Sequence, residues 1–222
     1  MNATESNEAQ VLFLDEWIVR VRQPLTPTSG SVFLLLHGLT GDEHSMTVFT
    51  RNLPRDAWIF SPRAPIQSEK GGYKWITAEQ GMTASFIEFQ EAATQLHNAF
   101  QGWRKSLGVP AAHVNVIGFS QGAVMAAVYM LLYPLETNRL GFLSGFLPAD
   151  TPQFVTENEL SAKPVFIAHG SQDKTVPIAK ARQTAEWLRQ WGASVTFCEA
   201  PVSHRLSANC FRGFADFFRN PK

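Results

Sequence analysis

The sequence predicts an α/β fold: a mostly parallel central sheet with helices on both faces. Three observations carry this. Strand-length apolar runs alternate with helical segments along most of the chain, the order that implies a parallel sheet. One run, "SVFLLL" (31–36), is apolar at every position, as a strand buried on both faces should be. From about Thr83 to Leu107, the residues Phe86, Phe89, Ala93, Leu96, Phe100, Trp103 and Leu107 share one face at spacings of three and four. That spacing also suits a coiled-coil seam, but the bulky aromatics favour packing on a sheet.

The elements follow in order. "VLFLDEWIVRVRQ" (11–23) reads as two short strands or a hairpin, followed by the strand at 31–36. "AWIF" (57–60), "HVNVIGF" (113–119) and "LGFLSGFL" (140–147) read as further strands, as do "PVFIAHG" (164–170) and "SVTFCEA" (194–200). Besides the long helix, helices are expected at 122–133, 177–191 and 206–219. Two stretches fit no periodic element, 61–81 and 148–164. Both follow strands, so both are expected over the carboxyl edge of the sheet, where such folds gather their chemistry. Neither is long enough for an independent lid.

Bulk properties narrow the function. The 222 residues are 45% hydrophobic and 17% charged, and Lys+Arg and Asp+Glu both total 19. A balanced charge lacks the basic footprint of a nucleic-acid binder. The opening "MNATESNEAQ" lacks the basic and apolar regions of a signal peptide. No apolar run approaches the ~20 residues that cross a bilayer. A cytoplasmic location is therefore the expectation, without membrane insertion. Cys198 and Cys210 are the only cysteines, and free thiols are expected of them in that compartment, with a bridge as the alternative.

"GFSQG" (118–122) is the segment with chemistry in it. The spacing G-x-S-x-G alone arises by chance in roughly one chain of this length in ten to twenty, so its context decides. Here the serine stands between a strand, "VNVIGF", and a helix, "GAVMAAVYMLL". A sharp strand-to-helix turn brings backbones close, and Gly118 and Gly122 remove the side chains that would collide. The turn lifts the Ser120 hydroxyl above the sheet edge beside the first helical N–H groups. The alternative is a helix cap with two packing glycines.

A nucleophilic serine needs a base, and the base an orienting group. In this architecture the chain order is Ser, then Asp or Glu, then His. Only His169 and His204 follow Ser120. His204 stands in a loop between a strand and the last helix, where a base belongs, whereas His169 suits a local turn. Asp173, after the strand that ends at Gly170, can hold the imidazole in the required tautomer. It could equally close an Asx turn, and Asp150 is its rival. The backbone N–H of Gln121 is one expected oxyanion donor. The loop after 31–36 supplies the other, from Leu39 or less readily Thr40. His37 precedes the serine and reads as structural.

Taken together, "LLLHGLTGDEHSM", "SPRAPI", "GGYKWI", "VIGFSQGAVMA", "HGSQDKTVP" and "SH" before a closing helix resemble the phospholipase/carboxylesterase family of α/β-hydrolases. The resemblance spans residues 31 to 218. It implies one α/β-hydrolase domain over residues 1–222 with no large lid domain. It also implies Ser120, Asp173 and His204 as triad, with Leu39 and Gln121 as oxyanion donors. Ser203 stands where the family usually has Gly, and Ile76 where it often has an aromatic residue. The activity implied is hydrolysis of carboxylic esters of short to medium acyl chains through an acyl-enzyme. Acyl-thioester or acyl-protein hydrolysis is the alternative, and a non-catalytic ligand receptor a further one. Trp75, Ile76, Phe146 and Val176 are expected pocket walls, with Trp75 equally readable as a buried loop anchor. The expected partner is a small-molecule ester or an acylated protein, not a nucleic acid. No metal or organic cofactor is implied, since there is no clustered ligand spacing, no P-loop and no G-x-G-x-x-G.

Overall fold

A computed structural model describes residues 8–25, 30–77, 84–109 and 113–219. Its centre is an eight-stranded sheet. The strands are β1 (Gln10–Leu14), β2 (Trp17–Arg22), β3 (Ser31–Leu36), β4 (Ala57–Pro62), a small pair β5 (Ile66–Gln67) and β6 (Tyr73–Lys74), β7 (Val114–Phe119), β8 (Thr137–Leu143), β9 (Pro164–Gly170) and β10 (Ser194–Ala200). The large sheet has the order β1-β2-β4-β3-β7-β8-β9-β10, and β5 and β6 pair apart from it. From β4 to β10 every pairing in the large sheet is parallel. The β1–β2 hairpin joins antiparallel through β2. Strand order runs out from β3 and β7 in opposite directions, so the carboxyl ends of these two strands meet at one edge of the sheet.

Among the described residues five α-helices cover the faces: α1 (Thr47–Thr50), α2 (Phe86–Ser106), α3 (Gln121–Leu132), α4 (Ile178–Gln190) and α5 (Ala208–Arg219). The sequence expected the long helix to start near Thr83, which lies outside the described residues. Helix α2 begins at Phe86 because Ser85 and Glu88 form a capping box, which satisfies two N–H groups at once. Its predicted apolar face is the one that packs: Phe86, Phe89, Ala93, Leu96, Phe100 and Trp103 are buried. Helix α3 is apolar on all sides and buried from Gln121 to Leu131, as expected of a helix packed on the sheet with another helix over it. Contacts with β7, β8 and α2 enclose it.

Two cores flank the sheet. The larger gathers Leu34, Phe60, Phe89, Val116, Val128 and Phe142 with their neighbours. The smaller packs Phe33, Phe49, Ile117, Phe166 and Phe214 beneath α5. Alternate residues of β3 and β7 serve opposite cores, which is why those strands read as continuous apolar runs.

The irregular stretches resolve in part. Residues 61 and 62 complete β4, and β5 and β6 form a hairpin within 61–81. Residues 78–81 lie outside the described ones. In 148–164 a single 3-10 turn, Thr151–Gln153, is the one regular piece. No separate lid is formed among the described residues. The expectation of free thiols is corrected: Cys198 and Cys210 are joined in a disulfide, their Cα atoms 5.7 Å apart. The sequence shows only their spacing. Packing α5 against the last strand brings the two side chains within bridging reach.

Candidate active site

The turn after β7 is built on two glycines. A Cβ on Gly118 would lie 1.9 Å from the Gly122 carbonyl oxygen, and one on Gly122 would lie 2.1 Å from the Leu36 oxygen. No side chain fits either position. The close approach lets α3 start directly under the loop that follows β3. Between the glycines, Ser120 has φ 54° and ψ −119°, a left-handed conformation that costs a non-glycine residue of order 1–3 kcal/mol. Its backbone N–H donates to the Leu143 oxygen at 2.8 Å, which fixes the strained residue to the end of β8. The Ser120 hydroxyl has no hydrogen bond among the described residues. Such bonds are commonly loose until substrate is bound.

His204 reaches the same edge from β10. Ser171 N–H donates to the Ala200 oxygen and Gln172 N–H to the Val202 oxygen, at 2.8 and 3.1 Å. These bonds zip the loop after β10 onto the loop after β9. Gly170 makes that contact possible, because a Cβ there would lie 2.2 Å from the carbonyl oxygens of Val202 and Ser203. The ring of Phe119, the residue before Ser120, packs on the His204 ring at 5.0 Å between centroids. His204 Nδ1–H donates to Asp173 Oδ2 at 2.6 Å, with Asp173 buried and the His204 side chain 23% exposed.

Asp173 combines both readings offered for it. Its Oδ1 accepts from the N–H groups of Thr175 and Val176 at 2.8 and 2.9 Å, an Asx turn ahead of α4. Its Oδ2 faces His204. Burial opposes the carboxylate charge, but those two N–H groups and His204 outweigh it and hold its pKa below the usual value. The rival Asp150 is occupied elsewhere, accepting from Phe86 N–H with both oxygens, at 3.0 and 3.1 Å. His169 lies in β9 rather than in a turn: it is buried, its Nε2–H donates to the Val176 oxygen at 2.8 Å, and burial pushes its pKa down.

The loop after β3 closes the site from the other side. A Cβ on Gly38 would lie 3.2 Å from Ser120 Cβ, so Gly38 lets the loop run against the serine. Thr40 N–H donates to the Tyr73 oxygen at 3.0 Å, which removes it as a free donor. Among the described residues no carbonyl accepts from the N–H of Leu39 or Gln121. His37 is structural: its Nδ1–H donates to the Gly38 oxygen at 2.7 Å, and Nε2 accepts from Ala64 N–H at 3.0 Å. Both ring nitrogens are used by the neutral tautomer, and burial lowers its pKa.

Trp75 is a loop anchor. Its indole N–H donates to the His37 oxygen at 2.7 Å, and its backbone N–H donates to Gln121 Oε1 at 2.9 Å. It thereby ties the β5–β6 hairpin to both the β3 loop and the start of α3. Trp75, Ile76, Phe146 and Val176 all lie within the larger core.

Several contributors were not foreseen. Glu43, itself buried, accepts from Arg63 Nε–H and NH2 at 2.7 Å each, and Arg63 also donates to the Tyr73 hydroxyl at 3.1 Å. This pair clamps the β3 loop. Phe119 was read only as the end of a strand. It, Phe49, Leu206 and Phe211 line an apolar cavity beside Gly38. The position of Phe119 next to Ser120 is the one signal of this in the sequence. Among the described residues, no group of three or more His, Cys, Asp or Glu side chains is placed to hold a metal ion.

Sheet order, the strained serine at a strand-to-helix turn, and the Asp–His pair at the same edge define an α/β-hydrolase fold. A carboxylesterase from Mesorhizobium loti superposes with a TM-score of 0.81 over 96% of this chain and 100% of that one, at 20% identity. The chain belongs to the phospholipase/carboxylesterase family, whose model matches residues 18–220. It is 32% identical to an acyl-protein thioesterase 1 of Debaryomyces hansenii, over 85% of this chain and 90% of the relative. It is also 27% identical to a rice protein named as a probable inactive carboxylesterase, over 77% of this chain and 75% of the relative.

Proposed function

We propose that this chain is a serine hydrolase of carboxylic esters with short to medium acyl chains, working through an acyl-enzyme. One observation carries the reading: the 2.6 Å Asp173–His204 hydrogen bond beside a serine held at φ 54°. Ser120 Oγ attacks the ester carbonyl while His204 Nε2 takes its proton. The imidazolium that forms is stabilised by the Asp173 carboxylate. The carbonyl oxygen becomes an oxyanion against the N–H groups of Leu39 and Gln121, which donate to no carbonyl among the described residues. His204 then protonates the departing alkoxide, leaving an acyl group on Ser120. Water, deprotonated by His204, attacks that acyl group, and the proton returns to Ser120 Oγ as the acid leaves.

The test is Ser120→Ala together with labelling by a fluorophosphonate. Wild type is expected to label once, at Ser120, and to turn over p-nitrophenyl acetate. Ser120→Ala is expected to lose both, with a loss of 10⁴-fold or more being typical of a missing nucleophile (~10⁶ in the best-studied case). An unlabelled wild type would instead favour a non-catalytic ligand-binding protein of this fold; the rice relative is named as a probable inactive carboxylesterase.

A second reading rests on the Debaryomyces hansenii relative: hydrolysis of acyl thioesters, on small molecules or on acylated proteins. The same residues perform it, with a thiolate leaving. A matched pair of an oxygen ester and a thioester with one acyl group separates the two by their kcat/KM ratio.

A further inference from the structure

A cavity of about 340 Å³ opens beside Ser120, lined by Gly38, Met46, Phe49, Phe119, Leu206 and Phe211, with Ser45, Val48 and Arg205 also bordering it. Its walls come from five places that meet only in the fold: the loop after β3, the start of α1, the end of β7, the His204 loop and the first turns of α5. The lining is apolar and aromatic, and Phe49 and Phe211 stack at 5.4 Å between centroids. The cavity has a definite relation to the reacting atoms. Gly38 abuts Ser120 Cβ. Phe119 carries the His204 ring on its own ring. Arg205 and Leu206 directly follow His204.

Resting on the esterase reading above, we propose that this cavity receives the leaving alcohol of the substrate, and that the alcohol is apolar. The reaction fixes which part of the ester faces the base. As the tetrahedral intermediate collapses, the carbon–oxygen bond to the alcohol breaks, the electron pair goes to that oxygen, and the proton on His204 Nε2 is transferred to it. The alcohol oxygen must therefore lie within hydrogen-bonding reach of the imidazole, and the group attached to it continues along the imidazole's side of the site. That is the side on which this cavity lies. Its volume suits an alcohol of roughly ten heavy atoms at ~30 Å³ each. The walls offer such a group dispersion contacts and removal from water, and few hydrogen-bond partners, so a polar alcohol would lose hydration without replacement.

The experiment uses two ester series on the full chain. One holds the acyl group as acetyl and lengthens a primary n-alcohol from methyl to decyl. The other holds the alcohol as ethyl and lengthens the acyl group. In the alcohol series kcat/KM is expected to rise by about fourfold per methylene, the equivalent of ~0.8 kcal/mol, and to level off once the cavity is full. Val48→Trp, at a rim position 55% exposed, is expected to lower the hexyl-to-methyl acetate ratio by about tenfold. Phe211→Ala, which enlarges the cavity, is expected to move the optimum to longer alcohols. Deacylation of the acetyl-enzyme is the internal reference in wild type, since it has one rate whichever ester formed the intermediate. A flat alcohol series, with turnover and Ser120 labelling intact, overturns the proposal and leaves the esterase reading standing. Ratios that shift with the acyl series instead assign the cavity to the acyl chain and also overturn it. Absence of both turnover and labelling overturns both readings.

Discussion

At Gly122 the backbone of α3 passes so close to the β3 loop that a methyl group would overlap two carbonyl oxygens, at 2.1 and 2.4 Å. Gly122→Ala therefore forces the Ser120 turn away from the loop that carries Leu39. Overpacking of this kind costs ~1–3 kcal/mol. Urea unfolding is expected to show that loss, and activity to fall further than stability because the two proposed oxyanion donors separate. His37 governs behaviour in mild acid. Its neutral ring donates at Nδ1 and accepts at Nε2, so a second proton would face the Ala64 N–H. Burial holds its folded pKa below the ordinary 6.5, and His169 shifts the same way for the same reason. The unfolded chain takes up these protons first. Their stabilisation is thus complete above pH ~6.5 and declines as pH falls below it, until the folded-state pKa values are reached. The Tm of wild type is expected to drop between pH 7 and 5, and His37→Gln to be less stable at pH 8 but to show a shallower drop. Asp173 acts in a lower window: its depressed pKa adds stability above the usual carboxylate value of 3.8, lost as pH falls through the folded-state pKa. Much of this scale was legible in the sequence. G-x-S-x-G named the serine and both glycines; chain order set aside His37, and positions in loops after strands favoured Asp173 and His204 over Asp150 and His169, the two residues the fold joins by a hydrogen bond being Asp173 and His204. The packing of Phe119 on His204 was not legible, because a ring at the end of a strand reads the same whichever neighbour it meets.

Strands and helices of ordinary length were readable to within a few residues, because burial on a sheet imposes periods of two and 3.6. The runs at 31–36, 164–170 and 194–200 match β3, β9 and β10. Helix α1, at four residues, and the two-residue strands β5 and β6 are too short to carry a period. Their positions come from tertiary contacts instead: Tyr73 N–H donates to the Gly41 oxygen, and Thr40 N–H donates to the Tyr73 oxygen. The Glu43–Arg63 pair reinforces this junction, and two-point contact between carboxylate and guanidinium is geometrically demanding. Glu43→Gln is expected to cost ~1.5–3 kcal/mol, the range for hydrogen bonds to charged groups. In a double-mutant cycle with Arg63→Gln, the two losses are expected to be sub-additive. Because the pair holds the loop that carries Leu39, kcat is expected to fall more than KM rises.

On the scale of the whole molecule, a site at an open sheet edge, with no separate lid over it among the described residues, needs no lipid interface to uncover it. Esters assayed below and above their solubility limit are expected to show no rate jump, and an abrupt rise at that limit would contradict it. Among the described residues, no helix is long and apolar enough to cross a membrane. The disulfide was the feature least legible at this scale, since two cysteines twelve positions apart say nothing of pairing until β10 and α5 are docked. It turns the segment between them, with His204 near its middle, into a closed ring. A ring of this size removes about 3 kcal/mol of freedom from the unfolded chain. Thiol titration in denaturant is expected to find no free thiol before reduction and two after it. A reduced sample is expected to melt lower and to exchange the amides of 199–209 faster. The proposed base would then be tethered at both ends in an oxidising medium and held only by the chain in a reducing one. For this protein the redox state of the surroundings is then expected to set the temperature at which the His204 loop loosens.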